Sequence, residues 1–376
     1  MNLNSQTMRR PKEAGRVGKI FRFPQNCRKC DQFSRRDFLK TNSWLALGLG
    51  TCPLLAILFS ASANARKDFS SKEKAKDKLT STGLIFDKKY LHHTLGKRHP
   101  ESPERLKAIL RRLKTSGLDK AVKAIAPSGD PRRYINTIHP ESHIKLVAKQ
   151  AHDESICRLA VAGALAAVDA VCTGRVANAF CAIRPPGHHA TDTGEYGFCF
   201  YNNVAIAARY AQQKYKLKQI LIVDWDYHHG NGTEWAFYED PTVLFFSTHA
   251  LYAFPGTGLE NRTGKGKGQG YNINVPLPRG ADDKAILNAF TKRMVPAAEK
   301  FQPDLVLISA GFDSRKDDLL GDFAVTDEGF AKLTRLMMSI AKTHAHSRIV
   351  SLLEGGYNTQ GLALAVESHL KALLGS

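Results

Sequence analysis

Apolar residues in this chain gather in short continuous runs, and most of these runs end in glycine, proline or a titratable side chain. The clearest are Phe180 to Ile183, Ile220 to Val223, Leu305 to Ala310 and Ile349 to Leu353. An uninterrupted apolar run, rather than an alternating one, marks a strand buried on both faces of a parallel sheet. Gly83 to Phe86, Val243 to Thr248 and Tyr271 to Val275 read as further strands. Segments with helical periodicity lie between them. Pro103 to Leu113 starts on a proline suited to a first turn, and Ile156 to Val171 is Ala-rich with Gly174 placed to cap its end. Asn202 to Tyr215 follows, and Thr326 caps a final long helix with Leu333, Leu336, Met337 and Ile340 on one face. Strands alternating with helices predict an α/β fold, a central mainly parallel sheet between helical layers.

The first part of the chain departs from that pattern. Ser34-Arg35-Arg36-Asp37-Phe38-Leu39-Lys40 precedes an apolar stretch from Trp44 to Phe59 and then Ala63-Asn64-Ala65. This is the form of a twin-arginine signal peptide with a cleavage site. Gly48, Gly50 and Pro53 interrupt the apolar stretch, which is shorter than the ~18 residues a spanning helix wants. The reading is a signal over 1–65, a flexible basic linker over 66–80, and one catalytic domain over 81–376, with no stable membrane span once the signal is removed. It predicts passage through the twin-arginine translocase to the periplasm or another extracytoplasmic space of a bacterium.

Charge changes once the signal is set aside. The 376-residue chain carries a formal +19, but its first 65 residues hold 11 Lys/Arg against 3 Asp/Glu, which leaves +11 on the remainder. A basic surface favours acidic partners and repels polyamines at long range. No aromatic-interleaved nucleic-acid motif accompanies the charge, so no specific nucleic acid is expected. Cys157, Cys172, Cys181 and Cys199 are scattered through apolar segments and read as buried small hydrophobes, their disulfide state left open.

Chemistry concentrates at the ends of the apolar runs. Asp224-Trp-Asp226-Tyr-His228-His229-Gly-Asn-Gly-Thr follows Val223, and on a continuing strand Asp224, Asp226 and His228 would share one face. Carboxylate and imidazole together suit zinc, which in catalytic sites keeps a position open for water. Pro185-Pro186-Gly187-His188-His189, Asp313 and Gly355-Gly356-Tyr357 end the other runs. Singly, each is ordinary: a helix cap, a satisfied histidine pair, a turn with a packed ring. Ligands in open α/β sheets bind outside the carboxyl ends of the strands, so four such termini are expected to converge on one crevice.

In order and context, Arg184-Pro-Pro-Gly-His-His189, Asp224-x-Asp226-x-His228-His-Gly-Asn-Gly-Thr233, Pro255-Gly-Thr-Gly258, Ser309-Ala-Gly-Phe-Asp313 and Glu354-Gly-Gly-Tyr357 resemble the zinc-dependent histone deacetylase family. His99-Pro-Glu-x-Pro-x-Arg105 is a further similar element. The likeness runs from about Gly83 to near the C-terminus, and is strongest to the class II enzymes and the bacterial acetylpolyamine amidohydrolases. It implies a three-layer arginase/deacetylase fold in a single domain. It further implies one Zn2+ held by Asp226, His228 and Asp313, tandem acid/base histidines His188 and His189, and Tyr357 as donor to the developing oxyanion.

By the same resemblance, Asp224 orients His188, and a potassium ion sits near Asp224 and Ser247. Gly197, Phe198 and Phe254 line a narrow substrate tunnel, Leu320 lies at its lip, and Arg105 stands deep in the pocket. Asn231 occupies the place where class I enzymes carry an acidic partner for the second histidine. The reaction implied is removal of an acetyl or short acyl group from a small acylated amine or acyl-lysine; export argues against histones. An arginase-like binuclear metal hydrolase and a non-catalytic acyl-ligand binding protein are the alternatives, and a homo-oligomer is among the open assembly states.

Overall fold

Eight short strands, every pair of neighbours parallel, carry the fold in a computed structural model that describes residues 81–192, 194 and 196–375. The expected signal and linker, 1–65 and 66–80, lie outside the described residues. The strands are β1 (Thr82–Ile85), β2 (Lys123–Ile125), β3 (Asn178–Cys181), β4 (Ile220–Asp224), β5 (Val243–Ala250), β6 (Asn272–Leu277), β7 (Leu305–Ala310) and β8 (Ile349–Leu353). Their order across the sheet is β2-β1-β3-β8-β7-β4-β5-β6. β1, β3, β4, β5, β7 and β8 are buried along their whole length, polar positions such as Ser247, Thr248 and His249 of β5 included, as their predominantly apolar sequences predict.

Helices cover the sheet in two packed groups. Glu154–Cys172 lies against Asn203–Tyr215 and reaches β1, β3 and β8, while Thr359–Leu373 packs between Pro103–Thr115 and Asp327–His344. Glu154–Cys172 is the one helix among the described residues long and apolar enough to cross a membrane, and most of it is buried inside the fold. Its alanines and Gly163 permit that close approach: a Cβ at Gly163 would stand 2.5 Å from the Tyr90 hydroxyl. The caps fall where polar residues interrupt the periodicity. Asn202 Oδ1 accepts the Ala205 N–H at 3.0 Å, and Thr326 Oγ1 accepts that of Gly329 at 3.1 Å.

Two expectations need correction. Asp327–His344 is not the final helix, because Thr359–Leu373 follows, started by Asn358 Oδ1 accepting the Gly361 N–H at 3.1 Å. β4 also stops at Asp224, so Asp226 and His228 do not continue a strand face. A nested turn brings them inward instead: the Asp226 N–H donates to Asp224 Oδ1 at 3.1 Å and the His228 N–H to Asp226 Oδ1 at 2.8 Å. No disulfide joins Cys157, Cys172, Cys181 and Cys199.

Candidate active site

β3, β8, β7 and β4 are consecutive in the sheet, and their carboxyl ends deliver the four chemistry-bearing segments to one place. His188 and His189 follow β3, Glu354 to Tyr357 follow β8, Asp313 follows β7, and Asp226 and His228 follow β4. The expected convergence is therefore a matter of strand order.

Asp226, His228 and Asp313 each present a ligand atom, and these atoms lie within 4.8 Å of one another. His228 Nδ1 is 3.2 Å from Asp226 Oδ1 and 3.0 Å from Asp313 Oδ2. Backbone amides hold both carboxylates in place: Gly355 N–H donates to Asp226 Oδ2 at 2.9 Å, and Tyr227 N–H to Asp313 Oδ1 at 2.8 Å. The segments close in because two positions have no side chain. A Cβ at Gly311 would strike Asp226 Oδ2, and one at Gly355 would strike Asp313 Oδ2.

The donor set fits zinc. Asp224, Asp226, Asp313 and Glu354 are four buried carboxylates in one pocket. The nearby guanidiniums of Arg105 and Arg184 meet Glu101, so among the described residues this pocket leaves its carboxylates the imidazoles of His188 and His228 as cationic partners. Without an ion its members compensate one another. Burial and the neighbouring Asp226 push the Asp313 carboxyl up to about 7. Burial would lower the His228 imidazole, but its bonds to Asp226 and Asp313 outweigh that and raise it to about 10. A divalent cation with two carboxylates and one imidazole relieves both distortions.

The tandem histidines stand with ring centroids 4.0 Å apart and are oriented differently. His188 Nδ1 meets Asp224 Oδ2 at 2.9 Å, whereas His189 Nδ1 meets Asn231 Oδ1 at 2.7 Å. Burial opposes charge on both rings. At His188 the carboxylates of Asp226 and Asp224 overcome it and raise the imidazole well above its usual range. At His189 burial and the adjacent His188 act together and hold the ring neutral. Gly197, at φ +55, passes over His189, where a Cβ would collide with the ring.

The expected tunnel residues surround this floor. The Phe198 ring lies 6.0 Å from Tyr357 and 4.4 Å from His99, both edge-on; Phe254 is 5.1 Å from His189 and 6.2 Å from His228. Phe198 itself takes a left-handed backbone, φ 71, an unusual state for an aromatic residue. Leu320 is exposed on the loop after Asp313. Burial and Asp313 raise the Tyr357 phenol well above its usual range, so it stays protonated. Ser247, buried, is the β5 register partner of Asp224, and its Oγ lies 2.9 Å from His249 Nδ1.

Arg105 is deep and fully buried, but its polar atoms face protein. Nε donates to the Gly356 carbonyl at 2.6 Å, Nη1 to Glu101 at 3.2 Å and Nη2 to the Glu354 carbonyl, while the guanidinium lies 5.1 Å over the Tyr357 ring. Sequence reasoning assigned no part to three residues that organise the site. Glu101 receives Arg184 Nε at 2.5 Å and Nη2 at 2.6 Å as well as Arg105. Glu354 accepts the N–H groups of Gly187 at 2.6 Å and His188 at 3.2 Å, which fixes the entry to the histidine pair. Asp318 binds the backbone of Tyr357 at 2.7 Å. All three were visible as acids inside family-like stretches, Asp318 at the end of Phe312-Asp-Ser-Arg-Lys-Asp-Asp318, but no local pattern gives their partners.

Residues 99–373 match the histone deacetylase domain family. A probable deacetylase of Archaeoglobus fulgidus is 35% identical over 296 residues, covering 74% of this chain and 82% of that protein. The polyamine deacetylase HDAC10 of Mus musculus is 38% identical over 302 residues, covering 73% and 45%, and the chloroplastic histone deacetylase 10 of Oryza sativa subsp. japonica is 43% identical over 196 residues, covering 52% and 44%. The chain thus spans less than half the length of the mouse and rice proteins. The crystal structure of the HDA15 HD domain superposes with a TM-score of 0.74 at 35% identity, covering 79% of this chain and 88% of that one. Ordered motifs, an eight-stranded parallel sheet and these matches agree, and the chain belongs to the histone deacetylase family.

Proposed function

We propose that this chain is an exported zinc-dependent amidohydrolase that removes an acetyl or short acyl group from a small acylated amine or an acyl-lysine. The observation that carries the reading is the placement of two differently partnered histidines and a buried phenol beside three candidate metal donors. Asp226, His228 and Asp313 would hold the ion, which when bound polarises the acyl carbonyl and acidifies water. His189 keeps its Nδ1–H on Asn231, so Nε2 is the atom free to take a proton from the attacking water. His188, charged against Asp224, has Nε2–H to donate to the departing amine. The Tyr357 hydroxyl donates to the carbonyl oxygen as negative charge develops there. Phe198 and Phe254 would flank a linear alkyl stem and exclude water.

A second metal, as in a binuclear hydrolase, finds less support. The other buried group with ligand atoms, His188, Cys199 and Glu354, has its histidine on Asp224 and its carboxylate on Gly187, His188 and Ser309. A potassium ion beside Asp224 and Ser247 belongs to the same reading, as a structural ion. Export rests on Arg35-Arg36 and the apolar stretch behind them. The mouse relative is a polyamine deacetylase, which favours polyamines, whereas the +11 charge beyond the signal opposes a polycationic substrate.

Zinc-loaded protein assayed on acetyl-lysine peptides, acetylpolyamines and acetylated amino sugars, with and without chelator, tests the proposal. One zinc per chain and chelator-sensitive turnover of at least one class are expected. Two metals per chain would favour the binuclear reading, and binding without turnover the receptor. Export is tested separately: Arg35→Lys with Arg36→Lys should retain the chain in the cytoplasm.

A further inference from the structure

We infer that Asp318 is a positioning residue for Tyr357, tying the backbone of the phenol to the lip of the substrate mouth. The inference rests on the hydrolase reading above. Asp318 Oδ2 accepts the N–H of Tyr357 at 2.7 Å and that of Asn358 at 3.0 Å, and Oδ1 accepts the N–H of Leu320 at 2.9 Å. One half-buried carboxylate therefore joins the segment after β8 to the loop after β7. No lysine or arginine pairs with Asp318 among the described residues, so its charge is directed to these amides.

The peptide unit between Gly356 and Tyr357 is gripped at both polar atoms. Its carbonyl accepts from Arg105 Nε at 2.6 Å, and its N–H donates to Asp318 Oδ2 at 2.7 Å. Side chains of opposite charge, from two other parts of the chain, thus fix the plane that sets the direction of the Tyr357 Cα–Cβ bond. Gly356 needs such a brace, because at φ +117 it has no side chain to limit its torsions. Asn358 Nδ2 donates to the Asp317 carbonyl at 2.9 Å, and Asp317 sits at φ +65, so the loop that carries Leu320 is pinned from both directions. A displacement of about 1 Å at a reacting group costs roughly 100-fold in rate. Substrate contact at Leu320 and the aim of the phenol are coupled through one side chain.

Asparagine at 318 keeps the shape but offers one acceptor oxygen, and its NH2 group faces N–H donors. The expected result for Asp318→Asn on zinc-loaded full chain is a kcat lowered about 10- to 100-fold, as for lost supporting bonds elsewhere, with KM and zinc content preserved. In a Tyr357→Phe background the same change should alter kcat less than ~2-fold, because a positioning residue has nothing left to position. Equal losses in both backgrounds, or no loss in the parent, would overturn the inference. Amide exchange supplies a readout independent of turnover: the Tyr357 and Leu320 amides should exchange at least ~10-fold faster in Asp318→Asn while β8 stays protected. Unchanged exchange also overturns it. Should the asparagine variant lose zinc, Asp318→Ser carries the same cycle. Tyr357→Phe with full activity would remove the phenol from the mechanism and this inference with it, and a parent without chelator-sensitive turnover would remove the hydrolase reading itself; loss of activity in Tyr357→Phe alongside a normal Asp318→Asn removes only this inference.

Discussion

His189 Nδ1 rests on the amide oxygen of Asn231 at 2.7 Å, so the proton acceptor of the pair is oriented without being charged. An amide fixes the tautomer as a carboxylate would, but without a charge it raises the basicity of the ring less than a carboxylate does. Asn231→Asp should therefore stabilise the imidazolium and raise the His189 pKa. The acid limb of the kcat/KM profile should move upward by about 1 to 3 pH units, because the ring then becomes neutral only at higher pH. Asn231→Ala should lower kcat about 10- to 100-fold without moving the limb upward. A pH–rate series on the three proteins checks both.

Tyr357→Phe should lower kcat by about 100- to 1,000-fold, the range seen when one oxyanion donor is removed. Zinc content and KM should stay near those of the parent, since Tyr357 is not one of the three candidate donors and its ring still packs against Phe198. Metal analysis and steady-state kinetics on one preparation separate this from collapse of the site.

Glu101 links Arg184 and Arg105 with all three side chains fully buried. Glu101→Gln removes the one carboxylate that both guanidiniums meet among the described residues, and breaking a buried network of this kind destabilises by about 3 to 5 kcal/mol. Denaturant unfolding should show that loss. Because Arg105 also holds the Gly356 carbonyl, kcat should fall even where the variant remains folded.

Acid should unfold the protein early. Burial, first of all, lowers His139, His249 and His369 to about 3. The same residues titrate near 6.5 in an unfolded chain. Below pH 6.5 the unfolded state takes up protons that the folded state refuses, so stability falls with falling pH until about pH 3. The slope per residue is at most ~1.4 kcal/mol per pH unit. Melting temperatures of the zinc-loaded protein should decline from pH 6.5 to pH 5; no decline over that interval would show these rings to be hydrated.

Much of the architecture was written locally. Ile220 to Val223 and Leu305 to Ala310 can be little other than buried parallel strands, because no face of either run is polar. The caps at Asn202 and Thr326 follow from side chains able to accept an N–H three residues on. Thr359–Leu373 escaped because its start is a run of Asn, Thr, Gln and Gly that reads as loop. The carboxyl end of β4 shows the limit of a periodic argument. The alternation that would put Asp226 and His228 on one face holds only while the strand lasts, and it stops at Asp224.

By itself the sequence determined the chemical inventory: which residues can ligate, accept protons or donate to an oxyanion, and that each stands at a strand end. Only the tertiary structure decided that β3, β8, β7 and β4 lie side by side, although β3 and β8 are far apart in the chain. Strand order depends on how the connecting helices cross the sheet, and no local pattern encodes it. The same holds for Glu101, Glu354 and Asp318, whose partners are backbone amides and guanidiniums of remote segments. A backbone N–H is alike at every residue, so which carboxylate it meets is settled by packing alone.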